Sequence, residues 1–166
     1  MASREVFVVG AARTAIGGFG GSLRDVPMRR LAAAVTQAAL ERATRYARER
    51  IVFDRPIGQN QAIQHPLAQS WMELEAAWLM AMRGAWKYDQ KLDCGADANA
   101  AKYMAAEAGF AACQRAMATL GGFGYAKEYQ VERYLREMLI PRIAPISPQL
   151  ILCFIAEKVL GLPKSY

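Results

Sequence analysis

The chain has 166 residues, of which 54% are hydrophobic and 22% are charged, close to the averages of globular domains. This length predicts one compact domain, and the composition excludes collagen-like, low-complexity and disordered chains. No uncharged stretch reaches the roughly 18 apolar residues that a membrane-spanning helix needs, so we predict no membrane span. The short apolar run Phe7–Val9 lies between Glu5 and Gly10, so we expect no signal peptide and a cytoplasmic location.

The net charge of +6 raises the question of nucleic-acid binding. Residues 1–42 carry half of this net charge, and positive and negative side chains are interspersed along the whole chain. A nucleic-acid footprint would require basic residues that cluster or that alternate with aromatic ones. We therefore predict no nucleic-acid partner and favour a small acidic ligand.

The cysteines and the histidine limit the chemistry further. Cys94, Cys113 and Cys153 are far apart and form no CxxC pair, which indicates reduced packing residues rather than disulfides or a zinc site. His65 is the single histidine, so a multi-histidine metal site is excluded and no metal ligands are predicted. A lone histidine before a proline is more often structural than catalytic.

The first elements are a strand, a loop and a helix. Glu5–Val9 is β-branched and aromatic, and the glycine-rich segment that follows to Ser22 is typical of a loop, as at the edge of an α/β protein. The Val26–Pro27 pair or the preceding aspartate starts a helix that is predicted to run to about Ile51. The apolar residues of this helix recur at steps of three or four: Met28, Leu31, Val35, Ala39, Ala43 and Tyr46.

A second, longer helix is predicted after Asn60, which is a good cap residue, and it ends between Asp93 and Gly95. Its length of roughly 50 Å is typical of a bundle. The apolar face that we predict to be buried consists of Ile63, Leu67, Trp71, Leu74, Trp78, Met82 and Ala85. We expect the bundle to be stabilised mainly by burial of Trp71, Trp78, Leu74, Met82, Phe154 and Ile155.

Three more helices complete the pattern. Asp97 is predicted to cap an alanine-rich helix, Ala98–Leu120, which the following glycines terminate. A shorter helix, Val131–Leu139, is expected to stop before Pro141. The last helix is predicted to begin with Ser147 as N-cap and Pro148 at its first position, and to end at Gly161.

The sequence REVFVVGAARTAIGGFGGSLRDVP, residues 4–27, resembles the extreme N-terminus of thiolases, and the resemblance extends from Met1 to about Ala39. Thiolases use a nucleophilic cysteine, a second cysteine as acid and base, and histidines in later loops. The chain has only His65 and no cysteine in a glycine-rich loop, so thiolase activity is not expected.

Three motifs in residues 40–166 are similar to the C-terminal helical domain of acyl-CoA dehydrogenases. They are YARERIVFDRPIGQNQAIQH at Tyr46–His65, ATLGGFGYAKEYQVERYLRE at Ala118–Glu137, and the segment Arg142–Pro163. The resemblance implies a mainly α fold, an up-and-down helical bundle, here preceded by a short N-terminal strand and glycine-rich loop. It also implies that residues 1–39 are not an independent domain and that residues 40–166 form the bundle.

The resemblance assigns FAD contacts to five residues near these motifs. Arg50 and Phe53 combine a forked cation with an aromatic ring, which suits a pyrophosphate and an adenine, although a solvated arginine and a core phenylalanine are the ordinary alternative. In the family, the residues at these positions contact the FAD of a neighbouring subunit. Gln61 is similar to another such contact, and Gly121 and Gly122 permit close approach of the cofactor. A glutamine that is usual upstream is replaced by Ala118.

The position of the family's catalytic glutamate differs in this chain. The Tyr-Glu-Gly-Thr stretch of the family aligns with residues 144–147, which places Pro145 at the glutamate that removes the α-proton of the acyl thioester. Proline cannot act as a general base, and we assign no catalytic residue. Ser147 keeps a hydroxyl for the flavin or serves as a helix cap, and Gln149 offers an amide.

Three functions from different classes therefore remain open. The first is an FAD-associated oxidoreductase domain of acyl-CoA dehydrogenase type in fatty acid metabolism, truncated and weak or inactive alone, with acyl-CoA as substrate. The second is a non-catalytic helical oligomerisation module or a gene-fusion remnant, since family members commonly form homo-oligomers through this bundle. The third is a thiolase fragment, which the missing cysteines and histidines oppose.

Overall fold

The computed structural model describes residues 28–165, so the predicted strand Glu5–Val9 and the glycine-rich loop lie outside the described residues. Within this range the chain is mainly helical, with one small antiparallel hairpin in which Val52 pairs with Arg55. The elements are α1 (Met28–Glu49), β1 (Ile51–Val52), β2 (Arg55–Pro56), α2 (Gln61–Asp89), α3 (Gly95–Leu120), α4 (Gly122–Tyr125), α5 (Val131–Glu137), α6 (Leu139–Ile143) and α7 (Pro148–Lys158). A 3₁₀ turn at Ile57–Gln59 lies between β2 and α2, and another at Lys127–Tyr129 lies between α4 and α5.

Helices α1, α2 and α7 pack around α3 and form an up-and-down bundle with it. Glu73 contacts Arg115 whereas Arg83 contacts Asp97, so α2 runs antiparallel to α3. The long helix α3 also packs against α1 and, in antiparallel fashion, against α7. The predicted helical bundle is therefore confirmed.

The core lies between α1, α3 and α5. On α1, Val35, Ala39 and Ala43 are buried and Tyr46 packs against them, as the spacing of apolar residues predicts. The core cluster consists of Val35, Ala39, Ala43, Cys113, Ala116, Leu120, Val131, Tyr134 and Met138. The small residues of α3 let these helices approach closely.

The buried face of α2 differs from the prediction. Ser70, Ala77 and Gly84 face α3, and a Cβ atom at Gly84 would lie 3.4 Å from the Cβ of Asp97. Trp71 is 58% exposed and Trp78 is 49% exposed. Of the other residues of the predicted stripe, Ile63, Leu67 and Leu74 are half-buried, and Met82 and Ala85 are exposed. Periodicity shows which residues share a face of the helix, but it does not show which face is buried. The prediction was wrong because close packing of α2 on α3 buries the face that carries small residues.

The same holds for the predicted core. Trp71, Trp78 and Met82 are exposed, and Phe154 and Ile155 are half-buried, whereas Ile151 is the buried residue of α7. In the described range the largest fully buried side chain is that of Tyr134. The aromatic side chains of α2 therefore do not form the interior of this chain.

Several helix ends also differ from the predictions. Helix α2 ends at Asp89 rather than near Asp93, and the Asn60 side chain does not cap it. Helix α3 begins at Gly95, so Asp97 lies inside its first turn. Helix α5 stops before Pro141 as predicted, but at Glu137 rather than Leu139, and Pro141 lies inside the next helix, α6. The predicted start of α7 is confirmed, because the backbone N–H of Leu150 donates to Ser147 Oγ at 3.3 Å, whereas α7 ends at Lys158 rather than at Gly161.

Among residues 28–165, no single helix is long and apolar enough to cross a membrane. The segments Val131–Ile143 and Pro148–Lys158 reach that length and composition only when they are taken together, and a bend of 42° separates them.

Candidate functional site

A tight hairpin presents Arg50 and Phe53 at the end of α1. Its two turn residues, Phe53 and Asp54, have φ angles of 51° and 60°, the left-handed conformation that a two-residue hairpin turn of type I′ requires. Asparagine and glycine are the usual residues of this turn, and a phenylalanine in this conformation is strained. The Phe53 side chain is also 93% exposed. Strain and exposure together make Phe53 a candidate functional residue.

The hairpin is fixed to α1 on both sides. The backbone N–H of Arg50 donates to the carbonyl of Tyr46 at 2.8 Å, and that of Ile57 donates to the carbonyl of Arg50 at 2.9 Å. Gly58 lies against α1 so closely that a Cβ atom there would be 2.8 Å from the carbonyl oxygen of Ala47. The exposed side chains of the hairpin therefore project from a constrained backbone.

Asn60 has a tethering function that sequence reasoning missed. Its amide nitrogen donates to the carbonyl of Ile57 at 3.0 Å, and its side-chain oxygen accepts a hydrogen bond from Arg55 at 3.1 Å. Asn60 thus joins the hairpin to the start of α2. The proximity of Arg55 and Asn60 in the sequence was the signal that could have indicated this contact.

The turn after α3 contains glycines of two kinds. Gly121 has a φ of 58°, and a Cβ atom at Gly122 would find no described atom within 4 Å. In contrast, a Cβ atom at Gly124 would lie 2.6 Å from the carbonyl oxygen of Met117. Packing therefore requires glycine at position 124, whereas neither packing nor a left-handed backbone requires it at position 122. The missing side chain of Gly122 leaves an open surface that another molecule can approach.

Three aromatic rings bring the hairpin and the glycine turn to the same end of the bundle. The ring centroids of Tyr46 and Phe123 are 6.0 Å apart, those of Tyr46 and Tyr129 are 6.3 Å apart, and those of Phe123 and Tyr129 are 5.1 Å apart. Tyr46 lies one turn before Arg50, and Phe123 follows Gly122. We call Tyr46, Phe123 and Tyr129 the aromatic trio. Sequence reasoning placed Tyr46 on the buried face of the first helix but did not identify the trio.

Gln61 is the first residue of α2 and is exposed beside the hairpin. Five of the seven predicted cofactor residues, Arg50, Phe53, Gln61, Gly121 and Gly122, thus lie at or next to this end of the bundle. An open groove of about 340 Å³ between α1 and α2 begins here, with Arg48 and Gln64 among its polar lining residues.

The other two predicted residues, Ser147 and Gln149, lie elsewhere. They are at the start of α7, where the carbonyl of Ile146 accepts a hydrogen bond from Lys102 Nζ at 2.5 Å. Lys102 precedes Gly121 by 19 residues on α3, a distance of roughly 28 Å along the helix. The structure therefore separates the predicted cofactor residues into two groups.

The segment before α7 offers no proton acceptor at the aligned position. Pro145 follows Ala144 through a cis peptide bond. The carboxylate of Glu107, on the adjacent α3, accepts a hydrogen bond from Arg142 Nε at 2.8 Å, and the guanidinium of Arg142 lies 4.6 Å from the ring centroid of Phe110. Glu107 is thus engaged in an ion pair that holds this segment on the bundle.

Comparison with known proteins assigns the chain to a family. The sequence model of the acyl-CoA dehydrogenase C-terminal domain matches residues 12–156. The chain belongs to the acyl-CoA dehydrogenase family. It is 46% identical over 130 residues to acyl-CoA dehydrogenase FadE12 of Mycobacterium tuberculosis, a match that covers 77% of this chain and 34% of that protein. Benzylmalonyl-CoA dehydrogenase of Aromatoleum aromaticum is 40% identical over 129 residues, covering 78% and 34% of the two chains.

Solved structures agree with this assignment. The complex of glutaryl-coenzyme A dehydrogenase with glutaryl-CoA matches with a TM-score of 0.75 and 36% identity, over 81% of this chain and 34% of that one. The FAD complex of PigA matches with a TM-score of 0.76 and 31% identity, over 80% and 34%. This chain therefore spans about a third of the length of its acyl-CoA dehydrogenase relatives. The thiolase-like resemblance of residues 1–39 stays a prediction.

In this acyl-CoA dehydrogenase domain, Asp97 of α3 forms ion pairs with two residues of α2. Asp97 is 2% exposed, and hydrogen bonds from Lys87 at 2.7 Å and from Arg83 at 2.5 Å hold the pKa of its carboxyl below the usual value. Burial raises the pKa of the Cys113 thiol to about 12, so this cysteine is an unreactive packing residue. These groups stabilise the bundle rather than form the candidate site.

Proposed function

We propose that this chain is an FAD-associated acyl-CoA dehydrogenase bundle whose hairpin end forms one half of a cofactor site completed by another subunit. FAD, when bound, supplies the group that accepts hydride from the β-carbon of an acyl-CoA thioester. The chain's own contribution is to hold the cofactor. Because Pro145 replaces the catalytic glutamate, the activity of the chain alone is weak or absent.

The observation that carries this proposal is the approach of the Arg50–Phe53 hairpin to the Gly121–Gly122 turn. The Arg50 guanidinium can donate hydrogen bonds to pyrophosphate oxygens, and the exposed Phe53 ring offers an apolar face for an adenine. Gly122 permits a phosphate chain to come close to the backbone. A cation, an exposed ring in a strained turn, and an uncovered glycine at one end of the bundle fit a dinucleotide cofactor.

The relatives support the cofactor and substrate class. PigA is known as an FAD complex, and glutaryl-coenzyme A dehydrogenase is known as a complex with glutaryl-CoA. Ser147 and Gln149, in the second group of predicted residues, would then face the flavin rather than the adenine end. Separation of the two groups by roughly 28 Å along α3 is compatible with contacts to different cofactor molecules.

The decisive experiment is the visible absorption spectrum of the purified chain across its size-exclusion peak after incubation with excess FAD. We expect a flavin band that elutes with the protein, and Arg50→Ala should weaken FAD binding by roughly 10-fold or more because a charged hydrogen bond is lost. Arg45→Ala is the matched control, since Arg45 is exposed on α1 five residues earlier. Absence of bound flavin from the wild-type chain would refute the proposal.

A second candidate function is self-association without catalysis, which one specific observation favours. Trp71, Trp78 and Trp86 on α2 are exposed, and Met82 lies between Trp78 and Trp86. Since Trp71 and Trp78 directly follow Ser70 and Ala77, this face lies about 100° round the helix from the buried one. An exposed apolar patch of this kind is typical of an interaction site. We propose a homo-oligomer that buries this face of α2. An oligomer that forms without flavin would favour the module function over the cofactor function.

We further infer that residues 1–39 are not an independent domain and that the chain arose by a gene rearrangement joining a thiolase-like start to a dehydrogenase-like end. Helix α1 is continuous across residue 39, and Ala39 and Ala43 belong to the same core, which supports the first point. Location in the cytoplasm and a role in fatty acid metabolism are part of this proposal. Two intact reading frames at the locus would refute the rearrangement.

A further inference from the structure

We propose that the three residues of the aromatic trio are positioning residues that set the spacing between the Arg50–Phe53 hairpin and the Gly121–Gly122 turn. This inference rests on the proposed FAD half-site. The two parts of the site come from segments about 70 residues apart in the chain. A cofactor that contacts both binds more tightly when their separation is fixed before it binds. Preorganisation of this kind lowers the entropic cost of binding.

The backbone of the glycine turn does not provide this fixation. The N–H of Gly121 donates to the carbonyls of Met117 and Ala118, and the N–H of Gly124 donates to the carbonyl of Gly121. These bonds hold the turn on its own helix, α3, and not on α1. Gly121 and Gly122 have no side chains that could reach the hairpin.

Phe123 connects the turn to α1 instead. Its ring meets that of Tyr46 at an interplanar angle of 62°, and Tyr129 closes the group, at 89° to Tyr46 and 38° to Phe123. Edge-to-face contacts of this kind depend on ring geometry and not on hydrophobicity alone. Tyr46 in turn holds the start of the hairpin, because its backbone carbonyl accepts the hydrogen bond from the Arg50 N–H.

The test uses the full chain with FAD as probe and fluorescence quenching of the flavin as readout. Tyr129→Leu keeps an apolar side chain but removes one ring, and we expect FAD affinity to fall roughly 2- to 10-fold. Tyr129→Phe keeps the ring and should restore affinity. Tyr88→Leu is the matched control, because Tyr88 is an exposed tyrosine near the other end of α2. A common loss in Tyr129→Leu and Tyr129→Phe would assign the effect to the hydroxyl and overturn the proposal.

Two further measurements separate positioning from a loss of folding or of the cofactor site. Amide hydrogen exchange without FAD should accelerate at Gly121–Gly124 in Tyr129→Leu, while exchange in the central turns of α3 stays unchanged. In a double-mutant cycle, the effects of Arg50→Ala and Tyr129→Leu on FAD affinity should be less than additive, since both act on one contact. If Arg50→Ala weakens FAD binding but Tyr129→Leu does not, the positioning inference fails and the half-site stands. If the wild-type chain binds no FAD, both fail.

Discussion

Arg115 and Glu73 form a two-point ion pair that joins α3 to α2, with Nη1 2.6 Å from Oε2 and Nη2 3.2 Å from Oε1. Arg115 Nη1 also donates to Ser70 Oγ at 3.1 Å. The hydrogen bonds from Arg115 lower the pKa of the Glu73 carboxyl. This pair therefore ties the face of α2 that carries Ser70 to α3 at the centre of the bundle.

Removal of one partner of this pair should destabilise the fold. We expect Glu73→Gln to lower the free energy of unfolding by roughly 1 to 2 kcal/mol, because Arg115 loses a charged acceptor at a half-buried position. Urea unfolding at neutral pH measures the change. The charge-reversed double variant Glu73→Arg with Arg115→Glu should recover part of the loss. Equal stability of Glu73→Gln and the wild type would show that the pair contributes nothing.

Asp97 should make stability depend on pH in the acid range. Its hydrogen bonds from Lys87 and Arg83 lower its folded-state pKa below the usual 3.8. Its contribution is therefore present above the unfolded-state pKa and is lost as the pH falls through the folded-state value. We expect Asp97→Asn to lower the Tm at pH 7 and to differ less from the wild type near pH 3. Asp89→Asn, at the exposed end of α2, is the control. A Tm difference independent of pH would contradict this account.

Much of the fold could be predicted from the sequence because local signals and tertiary packing agree. The apolar spacing of α1 matches its buried face, and Ser147 with Pro148 marks the start of α7 in the structure as in the sequence. On α2 the two disagree. The periodic pattern of Trp71 and Trp78 is real, but it describes a face that the described chain leaves exposed.

The residues of the candidate site could be predicted from the sequence, but their conformations and contacts could not. Arg50, Phe53 and the two glycines were found through family resemblance, and the structure brings them to one end of the bundle. The left-handed conformation of Phe53 and the contacts of the aromatic trio could not be inferred, because they depend on a hairpin of four paired residues and on contacts between distant segments. Sequence patterns of one helix do not report such contacts.

The strained turn at Phe53 predicts a conflict between stability and cofactor binding. Phe53→Asn replaces an exposed phenylalanine with a residue that adopts the left-handed conformation readily, so we expect a gain of about 1 kcal/mol in stability. The same variant should bind FAD more weakly, because the aromatic face is lost. Thermal unfolding and FAD titration of one preparation measure both effects. A variant that is less stable than the wild type would show that the Phe53 ring packs within the chain.

The two glycines of the turn after α3 should respond differently to alanine. Gly124→Ala places a Cβ atom against the backbone of Met117, which cannot move aside, so we expect a loss of about 1 to 3 kcal/mol in stability. Gly122→Ala adds a methyl group in open space and should leave stability within about 0.5 kcal/mol of the wild type. FAD affinity should nevertheless fall in Gly122→Ala. Unfolding curves and FAD titrations of the two variants provide the comparison, and unchanged FAD affinity in Gly122→Ala would remove this glycine from the half-site.

The adjacent residues Ala77 and Trp78 distinguish the two faces of α2. Ala77 is 3% exposed and faces α3, so Ala77→Leu should overpack the helix contact and cost about 1 to 3 kcal/mol in stability. Trp78 is 49% exposed, and Trp78→Gln should change the stability of the isolated fold by much less. If this face binds a second copy, Trp78→Gln should shift the mass measured by size exclusion with light scattering toward the monomer. Loss of stability in Trp78→Gln but not in Ala77→Leu would mean that α2 packs through its tryptophan face. An unchanged mass of Trp78→Gln would mean that the oligomer contact lies elsewhere.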